Sequence, residues 1–193
     1  MRYLPLYSNQ GGRHVQERSG LNHWNADGRP RNFNEVYIPI PKKIHTDLPE
    51  FFPERDTHFA LILPNERILI AKLCQSNCKA LMSCPNSDLG EWILREVLEI
   101  EPWVLANYDM LLSAGIDSVC VRRVDIDNEE LMERLEEEML EILRRREHNI
   151  FRIEGYRAPS DYEINAIFHS IINERLYYTI EPSGIGAYEN QFI

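Results

Sequence analysis

The sequence contains no apolar run close to the roughly 18 residues that a transmembrane helix needs. Its first residues, MRYLPLYSNQGG, also lack the hydrophobic stretch of a secretory signal. These two absences argue against the ordinary signatures of membrane and secreted proteins. We therefore expect a cytoplasmic protein that does not act at a membrane.

Motifs of the common catalytic and metal-binding classes are missing as well. The chain has no phosphate-cradling glycine loop and no nucleophile elbow. Three of its four cysteines, Cys74, Cys78 and Cys84, lie within 11 residues, but zinc sites use short pairs of ligands that recur at a distance. The sequence thus predicts packed, reduced thiols, no bound metal, no cofactor and no catalytic residue of a recognisable kind.

The chain as a whole also lacks the excess of positive charge that favours binding to phosphates. Its net charge is -10, but this charge is unevenly distributed. Residues 1–90 hold 11 Lys/Arg against 9 Asp/Glu, whereas residues 91–193 hold 10 against 22. The first 45 residues carry 7 basic and 3 acidic groups. Any surface for an anionic partner is therefore expected in the N-terminal part.

The most informative feature present is the run from Ser19 to Pro41, SGLNHWNADGRPRNFNEVYIPIP. It concentrates asparagine, arginine and glycine in one loop and then changes into an apolar strand pattern. Carboxamides and guanidiniums are the side chains whose geometry matches the adenine and guanine edges in the major groove. The loop is therefore a candidate DNA-reading element, although the same residue types also occur in ordinary surface turns.

Seven ordered motifs extend this observation over roughly residues 3–124. They are RSGLN at Arg18–Asn22, WNADGRPR at Trp24–Arg31, NEVYIPIP at Asn34–Pro41, FFPERDTHF at Phe51–Phe59, AKLCQSNCKALMSCPN at Ala71–Asn86, LGEWILREVL at Leu89–Leu98 and GIDSV at Gly115–Val119. Together they resemble the C-terminal DNA-recognition domain of the NgoFVII/BfiI group of restriction endonucleases. That domain is a pseudobarrel of the class shared with the plant B-three transcription factors and the EcoRII effector domain.

The resemblance implies an α+β fold, a small open β pseudobarrel with short helices, and the residue patterns agree with it. They predict strands at Val36–Ile40, His58–Leu63, Arg67–Leu73 and Asp117–Arg123. From residue 126 onward the residue pattern is that of charged helices. We therefore predict a DNA-recognition domain over residues 1–125, followed by an acidic helical extension or partner-binding subdomain over residues 126–193.

The resemblance further implies that two arms enter the major groove of DNA. The first arm comprises residues 18–34, and its candidate contacts are Arg18, Asn22, Trp24, Asn25, Arg29, Arg31 and Asn34. The second arm comprises residues 75–87, and its candidates are Gln75, Ser76, Asn77, Lys79 and Asn86. Lys42 and Lys43 are candidates for phosphate contacts.

Several of these residues also have a structural interpretation. Asn22, Asn25 and Asn34 either read adenine edges or brace the loop. Trp24 is more easily explained as support for the arm than as a stacking partner. Glu35 is expected to pair with an arginine of the arm, because a lone carboxylate near phosphates is unfavourable.

The nuclease half of the resembling enzymes has a phospholipase D fold, which needs a histidine followed two residues later by lysine. None of the six histidines has a lysine at that offset. We therefore predict a sequence-specific double-stranded DNA-binding module of a restriction system. Two alternatives stay open: a restriction endonuclease with an unrecognised active site, and a protein-interaction adaptor that does not bind DNA. The further partners expected are a separate nuclease subunit or a second copy joined through the C-terminal helices.

Overall fold

A computed structural model describes residues 1–126, 129, 132–137, 140–141 and 160–193. Within these residues, seven strands form one mixed sheet: β1 (Arg2–Pro5), β2 (Ile38–Pro39), β3 (His58–Ile62), β4 (Ile68–Cys74), β5 (Ala80–Ser83), β6 (Ile116–Val124) and β7 (Tyr177–Gly184). Their order is β1-β6-β7-β3-β4-β5-β2. Only β3 and β7 pair in parallel. The edge strands β1 and β2 contact each other, so the sheet is nearly closed into a pseudobarrel with a few short helices, as the sequence predicts.

The alternation of side chains along the strands separates two apolar clusters. On β4, Leu69, Ala71 and Leu73 belong to the main core, whereas Ile68 and Ile70 belong to a smaller cluster. Because successive side chains of a strand point to opposite faces, the main core fills the barrel and the smaller cluster lies on its outer face. The sheet is therefore covered on this outer side as well.

Strand β7 lies in the middle of the sheet. It pairs antiparallel with β6 from Ile116↔Gly184 to Val124↔Tyr177, and it pairs in parallel with β3. The sequence pattern predicts that these residues belong to an acidic helical extension or partner-binding subdomain that begins at residue 126. That assignment is wrong for Tyr177–Gly184, because three of the first four residues of the strand are buried between two neighbouring strands.

Helices lie between the strands of the described residues and after β7. They are α1 (Lys42–Asp47), α2 (Asp88–Gly90), which continues as a π-helical segment (Glu91–Val97), α3 (Tyr108–Ser113), α4 (Asp161–Asn173) and α5 (Ala187–Asn190). Residues 132–137 are also helical. None of the helices among these residues has the length and apolar character needed to cross a bilayer.

Side chains cap two of these helices. The Asn107 side chain accepts a hydrogen bond from the Met110 N–H at the start of α3. At the start of α4, Ser160 and Glu163 form a reciprocal capping box. Before α4, an apolar repeat at helical spacing runs through Leu131, Leu135, Met139 and Ile142. Leu135 is buried, and the other three lie outside the described residues.

Residues 186–192, here called the C-terminal strap, bind along the edge strand β1. The Gln191 side chain accepts a hydrogen bond from the Tyr3 N–H at 3.0 Å and donates one to the Tyr3 carbonyl at 2.8 Å. Glu189 accepts a hydrogen bond from the Tyr7 hydroxyl and forms an ion pair with Arg13 at 3.0 Å. The strap therefore satisfies backbone groups that an edge strand would otherwise expose.

Candidate nucleic-acid interface

The first arm is rooted in the barrel through Asn22, which is completely buried. Its side-chain carbonyl accepts a hydrogen bond from the Ala106 N–H at 2.9 Å, and its amide donates to the Ala106 carbonyl at 2.8 Å. The amide also donates to the Gln16 carbonyl at 3.0 Å. With both ends of the carboxamide occupied inside the protein, Asn22 braces the loop, and the predicted contact of Asn22 with a base does not fit this position.

Glu35 organises the middle of the first arm, as the sequence analysis expects. This buried carboxylate accepts two hydrogen bonds from the Arg29 guanidinium, at 3.0 and 2.8 Å. Arg31 approaches the same carboxylate at 3.6 Å and donates to three loop carbonyls, those of Ala26, Asp27 and Arg29. The two arginines therefore differ in availability, because the Arg29 side chain is 37% exposed and that of Arg31 only 12%.

The exposed part of the first arm carries further local contacts. Arg18 forms an ion pair with Asp27 on the surface. The Asn25 amide donates to the Glu17 carbonyl at 3.0 Å, yet the residue stays exposed. These side chains face solvent, where a bound duplex can replace their present contacts.

Aromatic side chains support the arm from behind. Trp24 packs partly buried against the main core and meets the exposed ring of Phe33 edge to face, with ring centroids 5.2 Å apart. Nearby, His23 contacts the Tyr37 ring in a similar geometry. Burial and then the Arg31 charge lower the pKa of His23, which disfavours a positive charge on the imidazole.

The second arm contains an irregular connection between β4 and β5. Three non-glycine residues in this connection, Gln75, Asn77 and Cys78, have positive φ angles of 65°, 60° and 54°. Ser76, Asn77 and Lys79 are exposed, and Gln75 is partly exposed. Backbone conformations of this kind are unfavourable for most residues and cluster where function constrains a loop.

The other end of the second arm lies against α2. The Ser83 hydroxyl donates to the Pro85 carbonyl at 2.7 Å and accepts from the Leu89 N–H at 2.9 Å. Asn86, between these contacts, is partly exposed. The second arm thus has an exposed connection at one end of β5 and a helix-bound turn at the other.

Three lysines form a cationic patch beside the exposed connection of the second arm. Lys42 and Lys43 begin α1, and the Lys79 carbonyl accepts a hydrogen bond from the Ile40 N–H at 2.8 Å. All three lysines are exposed, and no carboxylate of the described residues lies within ion-pair distance of them. Lys43 also lies over the Phe192 ring, with 3.8 Å between its Nζ and the ring centroid. This patch offers free positive charge for phosphates.

Two residues that position the first arm were missed by the sequence analysis. Arg95 donates hydrogen bonds to the Asn34 side chain and the Phe33 carbonyl, and Gly90 lies directly under the Asn34 carbonyl. A glycine within the pattern of a helix was the only local signal, since such a glycine often marks a close approach of another segment. Asn34 is thereby engaged with the barrel, in the bracing role that the sequence left open.

Metal and thiol chemistry have no visible site in the described part of the chain. No group of three or more His, Cys, Asp or Glu side chains there is arranged to hold a metal ion. The four cysteines are free thiols, and Cys120 is buried. A concave surface between residues 49–58 and α4 is lined by four carboxylates, which disfavours DNA there: Glu50, Glu54, Asp56 and Glu174.

Comparison with curated proteins gave no match. A family model described as the NgoFVII C-terminal B3-like DNA-binding domain matches residues 4–125. The matched span includes both arms and the cationic patch, and it covers well over half of the chain. The nearly closed pseudobarrel is the fold that this description requires. The chain therefore belongs to the family of NgoFVII C-terminal B3-like DNA-binding domains, which bind DNA in restriction systems.

Proposed function

We propose that this protein recognises a specific sequence of double-stranded DNA through two arms that enter the major groove, as the target-recognition module of a restriction system. The observation that carries the proposal is the construction of the first arm. Buried hydrogen bonds and a partly buried ion pair hold it in place, while exposed polar side chains remain at its surface. A loop held in this way loses little conformational freedom on binding, and this favours direct readout.

The residues fall into three groups under this proposal. Arg29, Asn25 and the exposed residues of the second arm, Gln75 to Asn77, read base edges. Arg18 and the cationic patch contact phosphates. Asn22, Trp24, Arg31 and Asn34 hold the first arm in place, and the partly exposed Asn86 belongs with the residues that contact DNA. Each well-formed bidentate base contact discriminates by about 1–3 kcal/mol.

The acidic C-terminal region supplies a second kind of surface. Residues 91–193 carry 22 Asp/Glu against 10 Lys/Arg, so this half of the chain should lie away from the duplex. A separate nuclease subunit, or a second copy, would therefore bind here rather than at the arms. The protein would act in the cytoplasm, where restriction systems meet their DNA.

Selection of binding sites from a random duplex library tests the proposal. The full chain is incubated with methylated and unmethylated pools at moderate salt, and bound duplexes are sequenced. We expect a short enriched site with an affinity at least about a thousandfold above that for random duplex. Uniform recovery of all sequences would contradict the proposal.

Two controls separate the alternatives. Incubation of the protein with plasmid containing the selected site, with magnesium or with EDTA, detects strand cleavage; discrete fragments would identify an endonuclease. Absence of any DNA shift even at low salt would instead favour the adaptor interpretation, because phosphate attraction is strongest there.

A further inference from the structure

The first arm rests on α2 at a point where no side chain fits. A Cβ atom added to Gly90 would lie 1.9 Å from the Asn34 carbonyl oxygen and 2.7 Å from the Asn34 carbonyl carbon. The glycine has no unusual φ angle, so its role is the close approach of two backbones. A methyl group there would force the helix and the arm apart by about 1 Å.

Arg95 lies on the π-helical segment that continues α2, and it binds the first arm at Phe33 and Asn34. Its Nε donates to the Asn34 side-chain carbonyl at 2.8 Å, and one terminal nitrogen donates to the Phe33 carbonyl at 3.0 Å. The other terminal nitrogen donates to the Ile100 carbonyl. All three nitrogens of the guanidinium are therefore used, each on a different acceptor. A lysine could keep the charge but not this fork of donors.

The turn that Arg95 binds is connected to the exposed part of the arm. The Asn34 N–H donates to the Asn32 side chain at 2.8 Å, and the Glu35 N–H donates to the Asn32 carbonyl at 2.9 Å. Glu35, the next residue after Asn34, holds Arg29 and Arg31. The position of the turn at residues 32–35 thus sets the position of Arg29 and Arg31 in the first arm.

The second arm shares the same foundation. Its helix-bound turn is tied to the start of α2 through the Ser83 hydroxyl and the Leu89 N–H. The Glu91 N–H also donates to the Ser87 carbonyl at 2.9 Å. The helix therefore fixes the distance between the first arm and the second.

We propose that Gly90 and Arg95 form a positioning platform that sets the register between the two arms and thereby determines how sharply the protein discriminates DNA sequences. This inference rests on the proposed function and adds to it the residues that control its specificity. Base pairs follow one another at about 3.4 Å, and productive recognition geometry tolerates displacements of only about 0.5 Å. A shift of about 1 Å at the platform therefore misplaces base contacts.

Non-specific attraction should be spared, because the cationic patch lies at the opposite end of β5. That strand has four residues and spans about 13 Å. Phosphate contacts by lysine also depend little on orientation, since an ammonium group acts as a point charge. Loss of the platform is thus expected to reduce specificity rather than binding in general.

The test compares Gly90→Ala with Gly184→Ala. Gly184 has no atom within 4 Å of an added Cβ and no positive φ angle, so it is a matched control. For each variant, the dissociation constants are measured for the wild-type site and for a scrambled duplex. We expect the ratio of the two constants to fall about tenfold or more in Gly90→Ala and to stay unchanged in Gly184→Ala. Affinity for the scrambled duplex should change less than about threefold.

A second pair of variants covers the possibility that Gly90→Ala fails to fold. Arg95→Lys keeps the charge and should lose discrimination, whereas Arg122→Lys, in an exposed pair with Glu181, should not. Thermal unfolding of each variant shows whether the fold persists. If a folded Gly90→Ala or Arg95→Lys variant discriminated between the two duplexes as well as the wild type does, the proposed role of the platform would be wrong. The proposed function would be unaffected by that result. Absence of any preferred site in the wild-type protein would overturn the proposed function and the platform with it.

Discussion

Glu35 is a buried carboxylate at the base of an arm that must approach phosphates, with 6% of its surface exposed. Its charge is balanced by two arginines, one partly open to solvent and one nearly enclosed. A buried charge is tolerated only when it is paired and hydrogen-bonded, so this carboxylate and the arginines depend on each other. The arrangement also keeps Arg29 oriented before any DNA is present.

Substitution of Glu35 by Gln should distinguish the effect of the arm's fixed conformation on DNA binding from the effect of its net charge. The amide cannot balance two guanidiniums, so we expect the free energy of unfolding to fall by about 2 kcal/mol. The arm gains one net positive charge, so affinity for random duplex should rise while discrimination falls. Urea denaturation and binding to specific and scrambled duplexes check both effects. Glu50→Gln, at an exposed position, is the control; an unchanged ratio of affinities in Glu35→Gln would contradict the role given to the pair.

Substitution by Asp should have different effects at two asparagines of the first arm, on stability at Asn22 and on DNA binding at Asn25. In Asn22→Asp, a carboxylate oxygen would face the Ala106 and Gln16 carbonyls inside the protein. We expect a loss of about 3 kcal/mol of stability. Asn25→Asp, at an exposed site, should cost less than about 0.5 kcal/mol yet weaken DNA binding through repulsion from phosphates. Similar stability of the two variants in chemical denaturation would show that Asn22 is not a brace.

The connection between β4 and β5 holds its residues in an unfavourable conformation. Gln75 has φ 65° and ψ 170°, a region that is essentially reserved for glycine and costs other residues of order 1–3 kcal/mol. Ser76 and Asn77 are exposed, whereas Cys78 packs partly buried against the main core and its carbonyl lies 3.1 Å from His45 Nε2, so packing holds only the end of the connection. The strain is understandable if the connection is shaped for a ligand.

Gln75→Gly should therefore stabilise the protein and impair its function. We expect the free energy of unfolding to rise by roughly 1 kcal/mol, after allowance for the greater freedom of glycine in the unfolded chain. Ser76→Gly, at a residue without a positive φ angle, should instead lose about 0.5–1 kcal/mol. Thermal unfolding measures both. Site selection with Gln75→Gly should show relaxed preference at one position, and full retention of preference would remove Gln75 from the reading residues.

The C-terminal strap should loosen in acid. Burial alone would raise the pKa of Glu189, but the hydrogen bond from Tyr7 and the charge of Arg13 lower it on balance. A carboxylate whose pKa is depressed by folding stabilises the protein above its unfolded pKa of about 4.3, and this stabilisation is lost as the pH falls through the lower folded value.

The free energy of unfolding, measured between pH 7 and pH 3, tests this contribution. Wild type should lose more stability over this range than Glu189→Gln, because the variant has no proton to bind at this position. Glu181→Gln, in the exposed pair with Arg122, should follow the wild-type profile closely. Parallel profiles for wild type and Glu189→Gln would contradict the electrostatic role of the strap.

Charge is segregated across the whole chain, and this fixes how binding should depend on salt. Replacing Lys42, Lys43 and Lys79 together by Gln should reduce the slope of log affinity against log salt by about 2–3, with sequence preference retained. A control with the same change in net charge replaces three arginines that pair with carboxylates elsewhere: Arg55, Arg122 and Arg175. An equal change in slope for the two triple variants would show that net charge, and not the patch, governs binding.

The sequence predicted the parts of the fold that short patterns encode. The strands predicted at His58–Leu63, Arg67–Leu73 and Asp117–Arg123 lie within one residue of the observed β3, β4 and β6. Strand β7 was missed because its partners lie far away in the chain. A double-tyrosine segment after a helical pattern gives no local sign that it will fill the gap between β3 and β6.

The roles of the arm residues were only partly predictable. The ion pair of Glu35 followed from charge and proximity in sequence, whereas the burial of Asn22 depends on Ala106, 84 residues later. Asn22 and Asn25 look alike in the sequence, and only the packed structure separates a brace from an exposed group. The joint role of Gly90 and Arg95 could not be predicted from the sequence, because the segment that they contact lies about 60 residues earlier.

Strands β6 and β7 are neighbours joined by more than fifty residues, and the last pair of their ladder is Val124↔Tyr177. Both ends of this intervening stretch therefore leave the barrel at a single spot, as the ends of a tight hairpin turn would. The segment inserted at this position can therefore be replaced without any change in the order of the strands in the barrel. A substitute has to cover the outward side chains of the sheet, which include Ala60, Ile68, Ile70 and Tyr177.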